Sequence, residues 1–130
     1  MAATSRQVRT AIVDALSAVP GINRYRYPED SVTVPAAVVS GFDMTEARLG
    51  GGRDITAKVL VVVSKSHTSQ LELLDEMLDE TGAGSVVAAI NDRVDADDIA
   101  FWVTSVGDYG EFAWGGVDYY GALVTVRVLT

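Results

Sequence analysis

The sequence predicts an α+β fold, a mostly antiparallel β-sheet with helices packed on one face. Two separate stretches repeat apolar residues at helical spacing, several others alternate with a period of two, and a Gly-Gly pair sits between two long strand-like runs. From residue 5 to residue 19, Val8, Ile12, Leu16 and Val19 recur every three or four positions, which predicts a helix with one buried face, ended by Pro20-Gly21. Residues 22–27 and 32–42 are rich in β-branched and aromatic side chains and flank the turn-forming Pro28-Glu29-Asp30, so they read as two strands joined by a tight connection. Pro35 cannot donate to a ladder and predicts an edge or bulged position there.

Residues 43–54 contain Gly50-Gly51-Gly52 between Arg48 and Arg53 and read as a mobile loop. Alternation returns over residues 54–64, with Ile55, Ala57, Val59, Val61 and Val63 on one face. Leu60 and Val62 interrupt the polar face, which predicts a central strand. Ser69 and Glu72 have capping-box spacing and open a second amphipathic helix with Leu71, Leu74 and Leu78 on its apolar side. Ser85 is placed to cap a short third helix carrying Val86, Val87 and Ile90. The remainder reads as sheet, with Ile99, Phe101 and Val103 in one arm and Tyr120, Ala122, Val124, Val126 and Val128 in the other. Trp114-Gly115-Gly116-Val117 joins them, because Gly-Gly accepts the positive φ angles of a type I′ turn, and Gly107 and Gly110 mark a bulge. No repeat or linker divides the chain, so residues 1–130 read as one domain.

With 48% hydrophobic and 22% charged residues, the composition is that of a folded chain with a normal core. The absence of cysteine excludes disulfides, thiolate metal sites and a cysteine nucleophile. No aliphatic run approaches membrane-spanning length and the N-terminal residues lack a signal-like apolar stretch, so no membrane association is expected, and with no cysteine a reducing cytoplasm is the simplest site of folding. A formal charge of −8 sets the average field against nucleic acid phosphates.

Candidate chemistry is sparse. His67, beside Ser64, Ser66, Thr68 and Ser69, resembles a general base near hydroxyl nucleophiles, but the signal is weak, and hydroxyl residues at a strand-to-helix junction are read as caps for orphan helix N–H groups. Asp95, Asp97 and Asp98 lack the glycine and distal glutamate of a calcium loop and read as a solvated turn. Gly50-Gly51-Gly52 lacks the Lys-Ser/Thr pair of a phosphate cradle. No catalytic residue, metal site or cofactor is therefore expected. Aromatics around the glycine turn would suit base stacking only beside a basic groove; about half of them are expected in the core and the rest at a protein interface. The candidate interface residues are Phe42, Arg48, Leu49, Arg53, Tyr109, Phe112, Trp114 and Tyr119.

Over nearly its whole length the chain resembles the tail-terminator (tail-completion) family of long-tailed bacteriophages, particularly those of actinobacterial phages. The features that carry the likeness are the opening helix ending Val19-Pro20-Gly21, the strand over residues 57–63 followed by the helix over 69–78, and the closing Trp114-Gly115-Gly116-Val117-Asp118-Tyr119-Tyr120-Gly121 hairpin. The resemblance implies a tail-terminator-like fold and a non-enzymatic virion protein at the head-proximal end of the tail. It implies a homo-hexameric ring that caps the major tail tube protein, stops tube polymerisation and offers a surface to the head-completion (stopper) protein. Genomic DNA would pass through the lumen without specific binding, and lumen-facing carboxylates would keep it from sticking. Residues 42–54 would be a contact arm. The nearest alternative is the adjacent stopper itself; from other classes, a small hydrolase using His67 and a cytosolic module dimerising through its aromatics compete.

Overall fold

A computed structural model describes residues 5–28, 32–45, 54–65, 68–91 and 100–129. The fold is α+β, a five-stranded mixed, mostly antiparallel sheet with three helices packed against it. Helix α1 (Ser5–Leu16) precedes strands β1 (Asn23–Tyr25), β2 (Ala36–Thr45) and β3 (Asp54–Ser64). Helices α2 (Thr68–Leu78) and α3 (Val86–Asn91) follow, and then β4 (Ala100–Trp114) and β5 (Val117–Leu129). The strand order is β1-β2-β3-β5-β4, so β3 is central and β1 and β4 form the edges.

The period-2 pattern of β3 explains the layers. Ile55, Ala57, Val59, Val61 and Val63 are fully buried under the helices, with Val8, Ile12 and Leu16 of α1, Leu74 and Met77 of α2, Val86 and Ile90 of α3, and Val124, Val126 and Val128 of β5. Each such aliphatic side chain contributes about 1.5–3 kcal/mol relative to exposure, which makes this side of the sheet the main source of stability. Leu60 and Val62 point the other way into a smaller cluster with Val32, Ala36, Val38 and Tyr119. A strand buried on both faces reads as a nearly continuous apolar run, which is why the polar face of β3 looked interrupted.

Several local expectations hold. Gly21, with φ 74°, follows the tightened end of α1, where Val19 N–H bonds to Leu16 O at 3.0 Å. Gly115 and Gly116, with φ 57° and 79°, form the type I′ turn between β4 and β5. The β4 register shifts between Gly107 and Gly110, where Asp108 takes φ 53°, and shifts again between Val103 and Ser105. The Ser85 hydroxyl accepts the Ala88 N–H at 3.0 Å as the cap of α3 and donates to the Asp79 carbonyl.

Others are corrected. Strands β1 and β2 pair in parallel, with Asn23 opposite Ala36 and Tyr25 opposite Val38, so no tight hairpin connects them. Strand β2 is interior. Pro35, after a cis peptide bond, stands just before it and accepts the Asn23 N–H at 2.9 Å, while the bulge falls at Ser40, whose hydroxyl donates to Lys58 O at 3.1 Å. The loop expected over residues 43–54 does not begin at Asp43, because Asp43, Met44 and Thr45 pair with Thr56, Ile55 and Asp54 as a continuation of the ladder; residues 46–53 lie outside the described residues. Helix α2 begins at Thr68, which puts Ser69 inside the first turn instead of at the cap. Its buried residues are Leu74 and Met77, flanked by Leu73 and Leu78, so the apolar stripe is rotated away from Leu71.

Candidate interaction surface

The type I′ turn fixes the hairpin register, and that register sorts the aromatic side chains. Phe112 lies opposite Tyr119 and Trp114 opposite Val117, on the sheet face away from the helices. Tyr119 is buried there against Leu60 and Val62, while Tyr25, Val34, Phe112, Trp114 and Leu123 are half-buried around it. Gly121 leaves room for this packing. A Cβ on it would lie 2.6 Å from Val61 O and 3.1 Å from the Phe112 ring.

Tyr109 behaves differently because of the bulge. It is about half exposed, turns towards the helices and donates its hydroxyl proton to Asp75 Oδ1 of α2 at 3.1 Å. Its pKa is raised, first by partial burial and then by the bond to and charge of Asp75. Near the hairpin end, Lys65 Nζ pairs with Glu111 Oε1 at 2.9 Å, and that bond raises the lysine pKa.

Strand β4 is fifteen residues long, and β5 is its only strand partner among the described residues. Trp102, Val106 and Tyr109 are its exposed large hydrophobic side chains. On the helix side, a groove of about 630 Å³ runs beneath its outer edge, lined by Leu78, Glu80, Val87, Asn91, Val103 and Val106 among others. Within that groove the Asn91 carboxamide oxygen accepts the Val103 N–H at 2.8 Å, so a side chain stands where a further strand would supply an acceptor.

At the opposite edge stands Arg9, whose role sequence reasoning missed. Its guanidinium lies 4.5 Å from the Tyr27 ring centroid and 4.7 Å from that of Phe42 and donates to Arg26 O at 2.5 Å and to Val39 O at 2.6 Å. Phe42 reaches this position because the Ser40 bulge moves it to the helix face, opposite Ala57, where it packs half-buried on the core. The one available hint was an arginine adjoining the apolar stripe of α1.

Of the expected interface residues, Phe112, Trp114 and Tyr119 thus come together, Tyr109 and Phe42 stand apart from them, and Arg48, Leu49 and Arg53 lie outside the described residues. So do Ser66, His67, Asp95, Asp97, Asp98 and Gly50-Gly51-Gly52, while Ser64 ends β3 and Thr68 and Ser69 begin α2. Among the described residues no group of three or more His, Cys, Asp or Glu side chains is placed to hold a metal, and no helix is long and apolar enough to cross a membrane. No protein-family model and no curated protein matches the chain.

Proposed function

We propose that this chain is a structural subunit of a long-tailed bacteriophage, a tail terminator that forms a hexameric ring on the last ring of the tail tube. There it ends polymerisation and presents the surface to which the head-completion protein attaches, acting by shape and surface matching without catalysis. The observation that carries the reading is the long β4 edge, with Val106 and Tyr109 exposed on the side of an open groove and Trp102 exposed on the other sheet face, a surface suited to assembly. The elements on which the family resemblance rests run from α1, with Val19-Pro20-Gly21 after it, through β3 and α2 to the glycine-turn hairpin. In this reading the aromatic hairpin cluster holds the β4 and β5 arms in one shape, while Arg48, Leu49 and Arg53 belong to the contact arm. Tail length in the absence of the chain is the test.

A further inference from the structure

The two edges of the sheet differ in charge. On the helix side of β4, Asp75, which holds the Tyr109 hydroxyl, and Glu80 in the groove lining are exposed and acidic, exposed Asp79 adjoins Glu80 in the chain, and exposed Asp108 occupies the bulge. The nearest described cations, Lys65 and Arg127, are engaged: Lys65 with Glu111, and Arg127 on the opposite sheet face across from Trp102. At the β1 edge the pattern reverses. Arg24 and Arg26 are exposed, Arg9 is clamped between Tyr27 and Phe42, and Arg6 is exposed one turn before Arg9 on α1. Asp14 is the acidic residue of α1, and Glu29 and Asp30 lie outside the described residues.

We propose that the β4 edge and its groove receive the arginine-bearing β1 edge of a second copy of this chain. The inference deepens the ring-forming reading and rests on it. Five strands separate the two edges by about 19 Å at the usual strand spacing, so a copy can engage one neighbour at each edge. A contact between unlike surfaces is head-to-tail and generates a ring when its rotation closes. The β4 edge provides exposed Val106 and Tyr109 beside the groove, and the acids around it select a cationic partner over another β4 edge. The short β1, only three residues, limits main-chain pairing, so charge and groove contacts carry the interaction.

Charge exchange tests this on the full-length protein by analytical ultracentrifugation. One variant carries Asp79→Lys and Glu80→Lys, the other Arg6→Glu and Arg26→Glu; all four positions are exposed, and thermal melts check that each variant folds. Wild-type protein is expected to self-associate, each variant alone to associate roughly tenfold more weakly or worse, and an equimolar mixture to recover association. Wild-type association should also weaken between about 0.01 M and 1 M salt, as the screening length falls from about 30 Å to about 3 Å. Association that ignores both salt and charge reversal overturns the edge assignment, as does a wild-type chain that stays monomeric at low salt. Neither result touches the tail-length test, so failure of this contact and failure of the terminator reading are distinguishable.

Discussion

The Tyr109 hydroxyl and the Asp75 carboxylate meet at 3.1 Å, tying the bulge of the edge strand to the outer face of α2. Two adjacent glycine-flanked positions make this possible, because the register shift between Gly107 and Gly110 turns Tyr109 out of the strand's alternation.

The raised Tyr109 pKa means that the folded state favours the protonated phenol. Its contribution to stability is complete below the unfolded tyrosine pKa of about 10 and is lost as pH rises through the higher folded value. The difference between ultraviolet titrations of the wild type and Tyr109→Phe isolates this group and should place it above an ordinary tyrosine, and Asp75→Asn should move it back down. Because the pair is largely exposed, Tyr109→Phe should cost less than about 1 kcal/mol in denaturant melts. A tyrosine unaffected by Asp75→Asn would contradict the contact.

Arg9 links α1 to β2 and to the residue after β1, through two carbonyl acceptors and two ring faces. Arg9→Ala should therefore lower stability by about 2 kcal/mol, since it removes hydrogen bonds from a charged donor and leaves the half-buried contact open. Arg9→Lys should restore less than half, because an ammonium can donate to the two carbonyls that Arg9 Nη1 reaches but has no planar group to lay against both rings. Urea unfolding of the three proteins measures this, and equal midpoints would reject the clamp.

Gly121 is held to glycine by the Val61 carbonyl and the Phe112 ring. Gly121→Ala forces a backbone or aromatic shift and should cost about 1–3 kcal/mol by thermal unfolding. The change should be accompanied by altered tryptophan fluorescence, since Trp114 belongs to the same cluster. An alanine variant as stable as the wild type would show that the sheet accommodates the methyl group.

Most of the element order was legible because it rests on local signals. The spacing of Val8, Ile12 and Leu16 specifies the buried side of α1, and Gly115-Gly116 specifies the hairpin, whose register brings Phe112 opposite Tyr119. The parallel pairing of β1 with β2 was not legible, since a strand's own alternation carries no direction. The Ser40 bulge was equally hidden. Counted by twos from Ala36 and Val38, Phe42 belongs on the open face, and only the extra residue sends it to Arg9. The charge contrast between the edges depends on strand order, which places Arg24 and Arg26 at one side of the sheet and Asp75 and Glu80 towards the other.

Electron microscopy of phage tails assembled with and without this chain tests the central claim most directly. The terminator reading predicts overlong, headless tubes when the chain is missing and uniform, head-attached tails when it is supplied. Tails of normal length joined to heads in its absence would contradict it.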